Sequence, residues 1–299
     1  MVQRRTDLAA EAHELWRESG GEADSLPGVR VETDTREGFE RTVVTVLDRE
    51  GAEKLGKPVG TYVTLELEGL LRREEDAFDR AARAIAAEVE RMAPREGTVL
   101  VVGLGNRAVT PDLVGPLAVE RLLVTRHLVE SVPQHFGHLR AVAANTPGVL
   151  AATGVESAET VSALVRAVSP ACVIAVDALA SRSIHRLCRT VQLADTGIVP
   201  GSGVGNHRGA LNRETLGVPV IAVGVPTVVD GATLALDLLA EAGKEELGEA
   251  VLAGRGGDFF VTPRDVDCRV AELAKVIGYG VSMGLNPSLT PAELTLLLE

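Results

Sequence analysis

Two aspartates in this chain stand at the ends of apolar runs, and carboxylates so placed have two kinds of chemistry open to them. In VVGLGNRAVTPD (101–112) an apolar run enters a glycine turn, passes a Thr-Pro pair and stops at Asp112. In VIAVDALASRS a similar run leads straight into Asp177. A carboxylate ending so apolar a run is partly desolvated, which is costly unless it is paired, protonated or bound to something. One ionised and one protonated carboxyl can activate water against an amide, whereas two ionised ones can hold a metal. Each residue also has a plainer role. With Thr110 as N-cap and Pro111 as first helical residue, Asp112 would accept backbone N–H groups in a first helical turn. Asp177 would be an exposed strand-end acid or a helix cap.

Other reactive residues make weaker constellations. Ser181 and Ser183 lie close to His185, but that spacing is not triad geometry and neither serine sits in a small-residue elbow. Cys172 falls inside an apolar run and reads as core, and Cys188 has no context that would lower its pKa. His135 and His138 in HFGH lack the helical spacing of zinc ligands and read as a surface loop. The glycine run PGSGVGNHRG (200–209) matches neither the P-loop nor the dinucleotide fingerprint, and reads as a tightly turning loop beside the site.

The elements that must position the two acids follow from periodicity. Residues 28–68 hold β-branched runs with partial alternation, so an antiparallel strand group opens the fold. From Arg73 to Met92 the period becomes helical. Four nearly continuous apolar runs follow, at 99–105, 139–144, 171–177 and 218–226, alternating with helical segments at 112–130, 157–168 and 230–242. That alternation predicts an α/β fold with a doubly wound, mostly parallel sheet flanked by helices. The carboxyl ends of its strands are where such sheets bind ligands. Two closing helices are each entered by a Thr-Pro start, at Thr262 and Thr290.

Composition narrows the partners. The chain has 299 residues, 45% hydrophobic and 3% aromatic, so its core is built from Val, Leu, Ala and Ile. A net charge of -12 with scattered basic residues opposes direct nucleic-acid binding. The charged N-terminus is not a signal peptide, no run reaches membrane-spanning length, and three widely spaced cysteines suit a reducing cytoplasm. No linker divides the chain.

The segments RTDLAAEAHE, LGKPVGTYVTLE, VVGLGN, VTPD, LVTRHL, PGVLAATGVESAE, VIAVDALASRSI, LADTGIVPGSGVGNHR, TLGVPVIAVGVPTVVD and FVTPRDVD, in this order and over nearly the whole chain, resemble the germination (spore) proteases of spore-forming bacteria. The resemblance implies an endopeptidase that starts the breakdown of small acid-soluble spore proteins at germination, in the cytoplasm of the forespore and spore core. It implies a homotetramer made as a zymogen, a fold similar to the hydrogenase maturation endopeptidases, and Asp112 and Asp177 as an aspartic-type pair with no cofactor or metal. Asp112 is then expected to be the ionised base and Asp177 the protonated partner. The alternatives are a metal-assisted peptidase with the same aspartates as ligands, and a non-catalytic protein that binds spore proteins.

The acidic–apolar–small pattern at Asp7, Leu8 and Ala9 matches the cleavage specificity that the resemblance implies. Residues 1–7 are accordingly expected to be a propeptide released by self-processing between Asp7 and Leu8, and 8–299 a single peptidase domain. Without the resemblance, Asp7 reads as the N-cap of a helix starting near Leu8, in a weakly ordered polar segment. Arg4 or Arg5 would pair with the cleft carboxylates before processing. The aromatic that the family pattern places after GLGN is replaced here by Arg107 and Ala108.

Overall fold

A computed structural model describes residues 5–19, 26–201, 209–243 and 259–298 of the chain. Its sheet follows the order β1-β2-β3-β7-β8-β6-β4-β5, with β9 also pairing β8. The expected antiparallel group is the meander β1 (Val29–Arg36), β2 (Phe39–Val46) and β3 (Gly60–Glu66). The expected parallel set is β4 (Val99–Gly103), β5 (Val142–Asn145), β6 (Cys172–Ser181) and β8 (Val220–Asp230). The two groups form one mixed sheet because β7 (Thr190–Ala194) runs antiparallel to both β3 and β8. β7 is a short strand without a recognisable pattern of its own, and pairing on both edges defines it. β9 (Phe260–Val261) adds a two-residue antiparallel edge.

Both faces of the parallel strands are covered, which is why their sequences read as continuous apolar runs rather than alternating ones. On one face Ile174, Val176, Leu193, Ile221 and Val223 pack with Ile85 and Val89 of α3 (Ala77–Met92), Val114 and Ala118 of α4 (Val114–Glu120) and Val276 and Ile277 of α7 (Val266–Leu285). On the other, two separate clusters form. Ala194 and Ala222 join Val44, Tyr62 and Ala9 of α1 (Ala9–Glu18), with Ala52 of α2 (Arg49–Leu55) packed against them. Val173 and Ala175 join Val161 of α5 (Ser157–Val168).

Three expectations on helices are corrected. The segment 112–130 is not one helix: α4 ends at Glu120, and a separate helix covers Arg126–Ser131. Thr125 breaks it, being fully buried with its N–H donating to Val142 O at 3.0 Å, its hydroxyl to Arg140 O, and its Oγ1 accepting from Val142 N. Backbone pairing with a strand outweighs the helical period there. Thr262 does not cap α7, whose N-cap position is Asp265; its hydroxyl donates to Thr227 O of β8 at 3.0 Å. Thr110 does not cap a helix either, since residues Thr110–Asp112 form a 3-10 turn before α4. Thr290 does cap α8 (Pro291–Leu298), with Thr290 N donating to Glu293 Oε2 and Glu293 N to Thr290 Oγ1. The segment 230–242 becomes α6 (Gly231–Glu241), capped by Asp230.

Candidate active site at the carboxyl ends of the parallel strands

The loop after β4 is shaped around Asp112. Leu104 N donates to Val176 O at 2.8 Å, carrying the β4–β6 ladder one step further, and the chain then turns at Gly105 with φ of +129°. A Cβ at Gly105 would lie 2.0 Å from the backbone O of Asp112 and 3.3 Å from its Oδ1, so only glycine lets the turn close. The Asp112 carboxylate reaches back and accepts from Asn106 N at 2.7 Å. It therefore ties the end of the strand loop to the 3-10 turn instead of capping α4. Asp112 remains half-buried, and its turn packs against α7, β6 and β8.

Asp177 is not at the end of its strand, because β6 runs on to Ser181. It stands where the pairing with β4 stops, Gly103↔Val176 being the last matched pair. Its side of β6 is thus released from the sheet while β8 still supports the other. Asp177 is 5% exposed, and its Oδ1 accepts from Ala178 N at 2.9 Å. The register places Asp177 opposite Gly224 of β8, and Gly224 opposite Gln192 of β7. Paired residues point to the same face, so Gln192 and Asp177 flank a side-chain-free position. Gly224 has to be bare because a Cβ there would lie 2.3 Å from Leu179 Cδ1.

On this same face lies the N-terminal segment. Asp7 pairs with β6 beyond Asp177: Asp7 N donates to Ala180 O at 2.9 Å, and Ala180 N to Asp7 Oδ2 at 2.8 Å. The Asp7 carboxylate thus caps a strand, not α1, whose N-cap position is Leu8. The Asp7 carbonyl oxygen accepts from Lys57 Nζ at 2.9 Å and from Gln192 Nε2 at 3.3 Å, while Gln192 Oε1 accepts from Ala9 N at 2.7 Å. One glutamine therefore brackets Leu8, whose side chain is fully buried. The expectation of a weakly ordered start fails for residues 5–8, which are tied down by these contacts and by Arg5 N donating to Thr233 Oγ1. Arg4 lies outside the described residues.

Charged groups hold α1 in place. Glu11, fully buried, accepts from Arg182 N at 2.7 Å and Ser183 N at 3.0 Å, where the chain leaves β6. Burial pushes its carboxyl above the usual carboxylate range, against the opposing pull of these donors, the Thr6 hydroxyl and Arg186. Desolvation likewise pulls the Lys57 ammonium below its ordinary value, while Asp7 and Glu11 oppose the shift. Arg186 is bidentate to Glu14 at 2.8 Å and reaches Glu66 at 3.0 Å; hydrogen bonding to Glu14 is the main cause of its raised pKa. Arg182 joins Glu18 of α1 to Asp237 of α6.

The remaining candidates separate from this cluster. Ser183 Oγ accepts from the backbone N of His185 and Ser181 Oγ donates to Ser183 O, so these side chains serve local turns. Cys172 and Cys188 are buried, and desolvation pushes their thiols up to about 11 and about 12. His135 is in a one-turn helix, Pro133–Phe136. Arg107 is ion-paired to Glu120 on the surface. The glycine run 200–209 lies mostly outside the described residues. Among the described residues no group of three or more His, Cys, Asp and Glu side chains gathers as a metal shell would require, and none of their helices is long and apolar enough to cross a membrane. Sequence reading singled out neither Lys57, Gln192 nor Glu11. Lys57 stands in a motif quoted above, but a lysine between glycine and proline carries no signal of burial.

The sequence model described as germination protease matches residues 9–240. The chain is 43% identical to the germination protease of Caldanaerobacter subterraneus subsp. tengcongensis over 99% of its own length and 98% of that protein. It is 40% identical to that of Clostridium perfringens over the whole of both chains, and 37% identical to that of Halalkalibacterium halodurans over 94% and 93%. Among solved structures, the [NiFe] hydrogenase maturation protease HycI of Thermococcus kodakarensis KOD1 aligns with 65% of this chain and 98% of its own, with a TM-score of 0.37 and 18% identity. With sequence relatives matched from end to end, this chain belongs to the germination protease family and is a peptide-bond hydrolase.

Proposed function

We propose that the chain is an endopeptidase in which Asp112 and Asp177 act as a pair on one water molecule. The observation that carries this reading is their delivery to the place where β4 ends beside β6, Asp112 by a glycine turn after β4 and Asp177 by the first residue of β6 past the β4–β6 ladder. Asp112, half-buried and steadied by a backbone N–H, is the base that takes a proton from water as the oxygen attacks the scissile carbonyl carbon. Asp177, buried on an apolar strand, is the acid that protonates the carbonyl oxygen. Proton return to the leaving nitrogen then splits the tetrahedral intermediate. These steps use only the two carboxyl groups and one water molecule.

The substrates are the small acid-soluble spore proteins, cut after an acidic and before an apolar residue, and the setting is the cytoplasm of the forespore and spore core. Residues 1–7 are the propeptide of a zymogen, and 8–299 are the peptidase domain of a homotetramer. The grip on residues 6–9 supports the processing site, since backbone pairing and a bracketed side chain are how extended peptides are held. The test is to incubate the purified protein with such a spore protein before and after dialysis against a strong chelator. Mass spectrometry should find cleavage at acidic–apolar bonds, unchanged by the chelator. Cleavage that is lost with the metal and restored by it would make the aspartates ligands, and an intact spore protein would leave only binding.

A further inference from the structure

The Thr6 hydroxyl stands between two groups that processing would change. It accepts from Leu8 N at 3.0 Å and donates to Glu11 Oε2 at 2.5 Å. Glu11 Oε2 also accepts from Arg182 N, and Oε1 from Ser183 N, so the same carboxylate closes the exit of β6. Given the processing proposed above, on which this argument rests, hydrolysis adds one water across Asp7–Leu8. Asp7 leaves as a carboxylate, and the Leu8 nitrogen, taking up the proton released, becomes an ammonium. Thr6 departs with the peptide. One event therefore removes the Thr6 hydroxyl that donates to Glu11 Oε2 and accepts from Leu8 N, and turns that nitrogen into a cation with three donors.

We infer that Glu11 is the binding site for the α-ammonium created at Leu8, which moves into the place of the Thr6 hydroxyl. The exchange is favoured because a buried carboxylate that loses a donor is left incompletely compensated, whereas a short charge-assisted contact restores it. The other charged groups facing the site are Arg186, 3.5 Å from Glu11 Oε1 and already taken by Glu14 and Glu66, and Lys57 from the loop before β3. Both repel the ammonium, and direct contact with Glu11 outweighs them. Leu8, fully buried, is the anchor that keeps the new terminus from swinging into solvent. The processed enzyme thus carries an internal ion pair that the precursor lacks, at the exit of the strand that bears Asp177.

The test uses wild-type protein before and after processing, with intact mass reporting loss of residues 1–7. In the processed protein, the Leu8 amine is reductively methylated with a ¹³C label and titrated by NMR, and acylation of the unlabelled amine is timed near neutral pH. The expected result is a titration at least about one unit above the ordinary range for a chain terminus, and at least about tenfold slower acylation. Processed Glu11→Gln should return both values to those of a free terminus. Should that variant fail to fold, the wild-type titration still decides. A processed wild-type chain whose Leu8 amine behaves as a free peptide terminus overturns the inference alone. A chain that never loses residues 1–7 overturns it together with the processing it rests on.

Discussion

The dyad and the N-terminal grip lie on neighbouring parts of one sheet but are built from opposite materials. Asp112 and Asp177 are set by apolar strands and by backbone geometry: a glycine turn, a terminating ladder and backbone N–H donors. Residues 5–18 add to the buried Leu8 and Ala9 a set of ions and amides, with Glu11, Lys57, Gln192, Arg182 and Arg186 holding the chain at its polar atoms. The first kind of construction is lost only with the fold. The second can be exchanged or released locally, because each contact has its own partner and none fills the main core. The difference suits the proposed processing, in which the acid pair stays fixed while the N-terminus changes.

Substitutions on either side should therefore fail differently. Ile174→Ala in β6 removes a fully buried side chain and should destabilise the whole molecule by roughly 2–5 kcal/mol. Denaturant unfolding should show this with circular dichroism and fluorescence moving together; separate transitions would break the idea of one shared core. Gly224→Ala, between Asp177 and Gln192, should cost about 1–3 kcal/mol, because the new methyl meets Leu179. Leu179→Ala in the same chain should recover part of that loss, and an unchanged double mutant would mean the crowding lies elsewhere.

Smaller and local effects are expected on the N-terminal side. Arg186→Met removes the bidentate contact to Glu14 and the contact to Glu66. Amides of α1 should exchange with solvent about ten- to a hundredfold faster while those of β4 and β6 stay as they were. Equal acceleration in all three elements would merge the two regions into one unit.

The smallest effect is on pH. Glu11 has a raised pKa in the fold, so the native state holds its proton where the unfolded chain has lost it. Its contribution to stability is fully present below the ordinary value of 4.5 and is lost as pH rises through the raised one. Glu11→Gln should flatten the stability profile over that window. A profile equally steep in both proteins would place the titration on another group.

Much of the parallel half was legible in the sequence because strands covered on both faces must be apolar throughout, and the runs ending near Gly103 and Asp177 could hardly serve otherwise. Strand ends were less so: where β6 loses its partner depends on where β4 stops, which is a pairing fact and not a local one. β7 was missed for the same reason, and with it Gln192, whose place opposite Gly224 exists only in the register. Glu11 and Lys57 carried no signal, since nothing local marks a charge that will be buried by a distant strand. The motif resemblance located Asp7 and Leu8, but their hold on Ala180 and Gln192 is tertiary.

The central claim is that Asp112 and Asp177 work as a unit on water, and single-turnover hydrolysis of a peptide with one Asp-Leu bond tests it most directly. Wild type, Asp112→Asn, Asp177→Asn and the double variant would be measured in parallel, with circular dichroism confirming that each is folded. Each single variant should fall by orders of magnitude and the double variant should be little worse than either, as expected for groups that share one proton transfer. A folded single variant that hydrolyses the peptide at near the wild-type rate would contradict the pair.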